Sequence, residues 1–312
     1  MGSAARFHGA ERPTLRPGSF LGTWRLPQEE RSMDEARGHG SPAAVAECAE
    51  RLIDAAASRT PCAPVRDLIG ASDIALAYAA QKRVADHRVS AGGQIVGRKI
   101  GITSFAVQQQ VGVDQPDFGV LFMDMRVPNG AEVAAGRLLQ PRAEAEIAFV
   151  LGADLDHGDL DDEQVRRSVD YAVAAVEVVD SRIRDWDIVI TDTVADNASS
   201  GLFVLGDVKV RLGDFEPAEV RMAMTRNGAA VSHGVGADCL GSPLTALKWL
   251  AVTARRLGAP LRAGDIVLSG ALGALVTLDP GARVIAEFST LGRVDVSFAK
   301  GASGCGQGPG SW

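Results

Sequence analysis

The sequence predicts an α+β fold: a helical N-terminal cap ahead of a body of short mixed strands on a curved sheet. Two stretches near the N-terminus, 42–58 and 71–90, carry Ala, Leu and Ile at helical spacing. From Gln94 onward the texture changes to short β-branched segments punctuated by glycine turns. Two further stretches, 162–179 and 243–257, read as helices that interrupt this body.

Taken in order, residues 1–40 are rich in Gly, Arg, Pro and Ser without a hydrophobic period. They read as a disordered leader, with Met33 as a second candidate start. Residues 41–93 form the helical region: Ser41 is the expected N-cap of the first helix with Pro42 at its first position, and Ser72-Asp73 opens the second. The body spans 94–300, with strands expected at 95–100, 131–133, 145–151, 202–205, 208–212, 266–269 and 294–298. Residues 301–312, five of them Gly, read as a flexible tail.

Composition narrows the function. The 312 residues carry a formal net charge of −7, which disfavours a general nucleic-acid surface or attraction to anionic lipid. Aromatic residues make up 5% of the chain, too few for a base-stacking platform. Cys48, Cys62, Cys239 and Cys305 form no C-x-x-C pair, so reduced, structural thiols are expected in a cytoplasmic protein. No apolar run is long enough to span a membrane, and no apolar segment follows the N-terminal arginines as a secretory signal needs.

The chemistry concentrates at Arg142-Ala-Glu-Ala-Glu-Ile-Ala-Phe149. On a strand, Glu144 and Glu146 share one face while Ala143, Ala145, Ile147 and Phe149 take the other. Two neighbouring carboxylates in an apolar setting resist ionisation unless a cation lies between them, and a hard ion such as Mg²⁺ or Mn²⁺ supplies one. The alternative is a solvent-facing strand with two unremarkable glutamates. A third ligand is offered by Glu177 or Asp180, in an apolar run at a helix end or strand start; Arg182 is an equally simple ion-pair partner there.

Other segments are weighed in the same way. Lys99, in Gly97-Arg-Lys-Ile-Gly-Ile-Thr-Ser104, is either a surface strand residue or a cation facing a cleft. The stretch is not a P-loop, because Arg98 and Lys99 occupy the Lys and Ser/Thr positions and strand-like residues follow. Asp117, in a Pro-containing turn after a polar helix-like stretch at 105–111, either fixes the turn or moves protons. Residues 192–201 are an ordinary loop or a cleft wall able to receive a carboxylate. The acidic run 154–163 lacks the spacing of a calcium loop and reads as a solvated helix N-terminus. His157 and His233 read as surface residues, and no G-x-S-x-G elbow supports a serine hydrolase.

Together these segments, with Val179-Asp-Ser-Arg-Ile183 and Gly264-Asp-Ile-Val-Leu-Ser-Gly-Ala-Leu-Gly273, give the chain a resemblance over about residues 42–299. It resembles the fumarylacetoacetate hydrolase superfamily and, within it, the 2-hydroxypenta-2,4-dienoate (2-keto-4-pentenoate) hydratases of aromatic meta-cleavage. Two departures are the leader before Met33 and the Ala-Leu after Gly273, where such hydratases tend to carry Pro-Met.

The resemblance implies a mixed β-barrel or β-roll body. It implies a divalent Mg²⁺ or Mn²⁺ on Glu144, Glu146 and Glu177, with Asp180 moved to a supporting role. It further implies proton transfer by Lys99 and Asp117, substrate contact near Ser199, a small-molecule 2-hydroxydienoate substrate, and a homo-oligomer that could associate with a pathway decarboxylase or aldolase. The expected activity is hydration of the dienoate. The alternatives are a 4-oxalocrotonate decarboxylase, an acylpyruvate-type C–C hydrolase and a non-catalytic partner subunit.

Overall fold

The computed structural model describes residues 41–104, 108, 113 and 115–300. The expected leader and tail, and the polar stretch at 105–111 apart from Gln108, lie outside them.

Helix α1 (Pro42–Ser58) starts where expected: the Ser41 side chain accepts from the Ala44 N–H at 3.1 Å, and Arg59 ends the helix in the left-handed region. Its buried stripe of Val45, Cys48, Ala49, Leu52 and Ala55 follows the 3.6 period. A short α2 (Arg66–Ile69) leads to α3 (Ile74–Ser90), capped by Asp73 on the Leu76 N–H at 3.1 Å. These helices pack with α5 (Ile190–Ala195) around Val65, Ile69, Ile183 and Val194.

The body holds two sheets. The larger runs β2 (Asp117–Phe122), β1 (Ile95–Gly101), β10 (Ile266–Ala271), β5 (Arg142–Leu151), β6 (Val169–Val179), β7 (Ser200–Leu205) and β3 (Arg126–Val127), with β11 (Val276–Thr277) beside β5. The second is β4 (Glu132–Val133), β13 (Gly292–Phe298), β12 (Arg283–Phe288), β8 (Arg221–Arg226) and β9 (Ala229–Val235). Helix α6 (Pro243–Arg256) and the outer face of β5 and β6 share one core with this second sheet. Ala143, Ala145, Ile147, Phe149, Val176 and Val178 meet Leu247, Leu250, Val284 and Val294 there. The apolar half of the β5 alternation therefore serves the fold and leaves the other half for the site.

The larger sheet curls until its ends are bridged. The Asn197 side chain, just before β7, accepts from the Val120 N–H at 2.7 Å and donates to the Val120 carbonyl at 2.9 Å, standing in for a neighbouring strand on β2. Gln81 of α3 donates to the carbonyls of Phe118 and Val194, each at 2.8 Å, and clamps the same seam. Gly119 is needed here, because a Cβ at that position would lie 2.3 Å from the Asn197 carbonyl oxygen. The inner face is closed at one end by Phe122, Ala148, Val173, Ala175, Phe203 and Leu268.

One expected helix is wrong in most of its length. Residues 162–179 divide into a short α4 (Asp162–Ser168) and the eleven-residue strand β6. The expected strand at 208–212 reduces to a single bridge between Val210 and Ala172. The acidic run behaves as read: Asp161 caps α4 on the Gln164 N–H at 2.7 Å.

Candidate metal centre and catalytic site

The site grows out of strand register. Glu144 on β5 lies directly opposite Glu177 on β6, and Glu146 lies two residues further along the same face. One carboxylate oxygen from each of Glu144, Glu146 and Glu177 lies within 4.8 Å of the other two. Lys99, on β1, reaches into the same interior, and its Nζ is 3.3 Å from Glu177 Oε1. The curl makes this possible: β10 and β5 separate β1 from β6 within the sheet.

Glu146 and Glu177 are buried without the donors that burial demands, and Glu144 is half-buried beside them. Glu146 Oε2 accepts from the Gly270 N–H at 2.8 Å, but Glu146 Oε1 and both oxygens of Glu177 have no hydrogen bond. The Lys99–Glu177 contact is an ion pair without hydrogen-bond alignment. Burial, then the charge of Glu177, pushes the Glu144 carboxyl up to about 7. Glu146 is driven well above the usual carboxylate range by burial and by its two glutamate neighbours.

Lys99 and Glu177 are both raised within one ion pair, which favours the charged lysine and disfavours the charged glutamate. Burial lowers the lysine pKa, but Glu177, Asp117, Glu144 and Glu146 together raise it overall. Burial raises Glu177, and the one ammonium does not bring it back. The lysine has four acids to itself, whereas the acids share one lysine. Four carboxylates against one ammonium leave three negative charges uncompensated. An all-oxygen donor set with orphaned buried atoms fits a hard divalent ion.

Asp117 opens β2 opposite Gly101, is buried, and is raised by desolvation against the lowering effect of Lys99. Its Oδ1 has no hydrogen bond, and a Cβ on Gly101 would come within 2.2 Å of that oxygen. Thr193 Oγ1 donates to Asp117 Oδ2 at 3.4 Å and lies 3.5 Å from Ser199 Oγ, so Ser199 joins the constellation through Thr193. Asn197, Ala198 and Ser199 hold φ of 56°, 50° and 53°, a left-handed turn costing roughly 1–2 kcal/mol per residue. Arg182 braces it by donating to the carbonyls of Asp196 and Ser200 and to the Asp196 carboxylate.

Asp180 is not part of the cluster. Its carboxylate accepts from the Leu139 N–H at 3.0 Å and the Gln140 N–H at 2.6 Å, fixing the loop that leads into β5. Thr193, Gly101 and the Gly270 N–H were not singled out by the sequence. All three sit in segments that were, but their partners lie across the fold. His157 and His233 are exposed, as expected. Cys48, Cys62 and Cys239 are free thiols.

Residues 94–299 match the family model for the fumarylacetoacetate (FAA) hydrolase C-terminal region. The TodF product hydratase of Pseudomonas putida is 51% identical over 257 residues, covering 82% of this chain and 96% of that protein. The 2-keto-4-pentenoate hydratase 2 of Dechloromonas aromatica is 50% identical over 254 residues, covering 81% of this chain and 97% of that protein. Among solved structures, a 4-oxalocrotonate decarboxylase of Pseudomonas putida, complexed with magnesium and adipate, superposes with a TM-score of 0.79 at 31% identity. The match covers 83% of this chain and 98% of that one.

Proposed function

The chain belongs to the fumarylacetoacetate hydrolase family, and from that premise we propose that it is a metal-dependent hydratase. In this reading it adds water to 2-hydroxypenta-2,4-dienoate to give 4-hydroxy-2-oxopentanoate. The observation that carries the metal is the trio of glutamate oxygens within 4.8 Å of one another, beside Lys99, with Glu146 and Glu177 buried and short of donors. The hydratase names of relatives at about half identity over most of the chain support the activity.

Glu144, Glu146 and Glu177 hold the ion, Mg²⁺ or Mn²⁺ by donor chemistry. When bound, the ion supplies a Lewis acid for the C1 carboxylate and C2 oxygen of the substrate. Lys99 and Asp117 handle the protons. The enol proton leaves the C2 oxygen and one is delivered to C5, giving a conjugated 2-oxo acid. Water then adds its oxygen at C4 and a proton at C3. Thr193 steadies the Asp117 carboxylate, and the Ser199 turn lines the substrate side. Assembly as a homo-oligomer belongs to the same reading and is checked by light scattering.

A decarboxylase reading draws on the solved neighbour, but the higher identity to hydratases favours hydration. A two-substrate assay separates them. Purified protein with Mg²⁺ is expected to consume 2-hydroxypenta-2,4-dienoate and yield 4-hydroxy-2-oxopentanoate without CO₂. Release of CO₂ from 4-oxalocrotonate, with no hydration of the dienoate, would transfer the chain to the decarboxylase reading.

A further inference from the structure

A bulge in β10 turns one backbone donor onto the acidic cluster. Leu268 pairs with Ala148 of β5 and Ala271 pairs with Glu146, so Ser269 and Gly270 together face the single residue Ile147. Within the bulge Gly270 takes a φ of 99°, and its N–H donates to Glu146 Oε2 at 2.8 Å. Among the described residues, no other backbone N–H reaches the carboxylates of Glu144, Glu146 or Glu177.

Thr103 covers this bulge. A Cβ on Gly270 would lie 2.3 Å from Thr103 Oγ1 and 2.4 Å from Thr103 Cγ2, so the branched end of that side chain already occupies the space beside the bare Cα. Thr103 is buried, and its carbonyl accepts from the Leu240 N–H at 3.0 Å. The neighbouring Cys239 meets the Thr103 hydroxyl and donates its Sγ–H to the Ser269 carbonyl at 3.0 Å. Thr103 is thereby fixed against the bulge twice, through its own backbone and through the residue that grips Ser269.

The chain leading to Thr103 is strained. Ile102, a β-branched residue, holds a φ of 56°, which its type adopts only under restraint from the surrounding structure. The restraint is visible: its side chain packs with the cap cluster around Val65 and Val194, and its carbonyl accepts from the Gln108 side chain at 2.8 Å. The turn at Ile102 sends one side chain into the cap and the next onto Gly270.

A carboxylate with a single donor has one oxygen fixed and one open. Glu146 Oε2 is taken by the Gly270 N–H, and Oε1 has no hydrogen bond. We propose that Thr103 is a positioning residue of the metal centre: packed on Gly270, it holds the bulge so that the N–H fixes Glu146 Oε2 and leaves Oε1 for the ion. Outer partners of this kind command roughly 10- to 100-fold in metal affinity. The inference rests on the metal reading of the three glutamates, but not on which substrate is turned over.

Metal affinity and metal-free stability together separate this role from simple support. Mn²⁺ is titrated calorimetrically into wild type, Thr103→Val, Thr103→Ala, Gly270→Ala and the double variant of Thr103→Ala with Gly270→Ala, and each metal-free protein is melted. Thr103→Ala uncovers the Gly270 Cα and is expected to weaken Mn²⁺ binding roughly ten-fold. Thr103→Val keeps the branched end and should bind Mn²⁺ as wild type does. Gly270→Ala should weaken Mn²⁺ binding more than Thr103→Ala, and its loss should shrink on the Thr103→Ala background, where the clashing atoms are gone. Should Gly270→Ala fail to fold, the two Thr103 variants decide alone. Thr103→Ala that melts lower yet binds Mn²⁺ like wild type would reduce Thr103 to a structural prop. Additive losses in the double variant, or a loss in Thr103→Val as large as in Thr103→Ala, would remove the packing against Gly270 from the account. Any of these overturns the proposal. Wild type that takes up no Mn²⁺ would sink the metal reading itself, and the proposal with it.

Discussion

Two sets of buried acids sit close together in this chain and are treated in opposite ways. Asp192 accepts from the N–H groups of Val65 at 2.8 Å, Arg66 at 2.9 Å and Val189 at 3.0 Å, and from the Arg66 guanidinium at 2.7 Å. Asp196 accepts from the Arg182 N–H at 2.9 Å and its Nε–H at 2.5 Å, and Asp180 holds two backbone N–H groups. Glu177, equally buried, has no hydrogen bond on either oxygen. An acid saturated with donors is a structural joint and needs no ion. An acid left short of donors beside two others stores an electrostatic cost that a divalent cation relieves.

The largest contrast is expected from paired substitutions. Glu177→Gln should lower metal affinity beyond the roughly 100-fold that outer partners command, and abolish turnover, while the metal-free protein melts no lower than wild type. Asp192→Asn should do the reverse. It should cost roughly 2–4 kcal/mol of stability, less than a fully buried pair because Arg66 stays partly exposed, and leave metal binding intact once folded. Calorimetric melts with and without Mn²⁺ read both; equal destabilisation by the two changes would erase the distinction.

Lys99→Met sharpens the comparison from the cation's side. Metal should still bind, and more tightly, because a competing positive charge is gone, while turnover on the dienoate is lost. A variant that keeps near-normal turnover would take proton handling away from Lys99.

Glu144 gives a pH test with a definite sign. Its carboxyl is pushed up from 4.5 to about 7 without metal, so the folded state prefers the neutral form. The favourable contribution is present below about 4.5 and is lost as pH rises through 7, so metal-free protein weakens across that window. Metal affinity should rise over the same interval with protons released on binding, and Glu144→Gln should flatten both trends. A metal affinity independent of pH between 5 and 8 would speak against a protonated cluster.

Asp180→Asn is the smallest change. Leu139 and Gln140 keep an amide oxygen as acceptor, so metal stays bound and activity falls roughly ten-fold or less. Loss of metal in this variant, with retention in Glu177→Gln, would exchange their roles.

Much of this was legible in the sequence, and the failures share a cause. Glu144 and Glu146 announced themselves because one face of β5 is apolar throughout while the other begins with Arg142, Glu144 and Glu146, which leaves a period of two. Strand β6, Val-Asp-Tyr-Ala-Val-Ala-Ala-Val-Glu-Val-Val, is buried on both faces over most of its length. Such a run has no alternation to distinguish it from a buried helix. Chemistry alone therefore left Glu177 and Asp180 open as the third ligand; the family resemblance chose Glu177, and the register that sets it opposite Glu144 appears only in three dimensions. The left-handed turn at Asn197–Ser199 was equally hidden, since three non-glycine residues with positive φ are specified by Arg182 and the Asn197–Val120 bridge, not by local propensity.

The most direct test of the account is Mn²⁺ stoichiometry by titration calorimetry, on wild type and Glu177→Gln at pH 8. One Mn²⁺ per chain in the wild type, and none at the same concentrations in the variant, is the result expected from a centre built on Glu144, Glu146 and Glu177. Equal stoichiometry and affinity in the two proteins would contradict it.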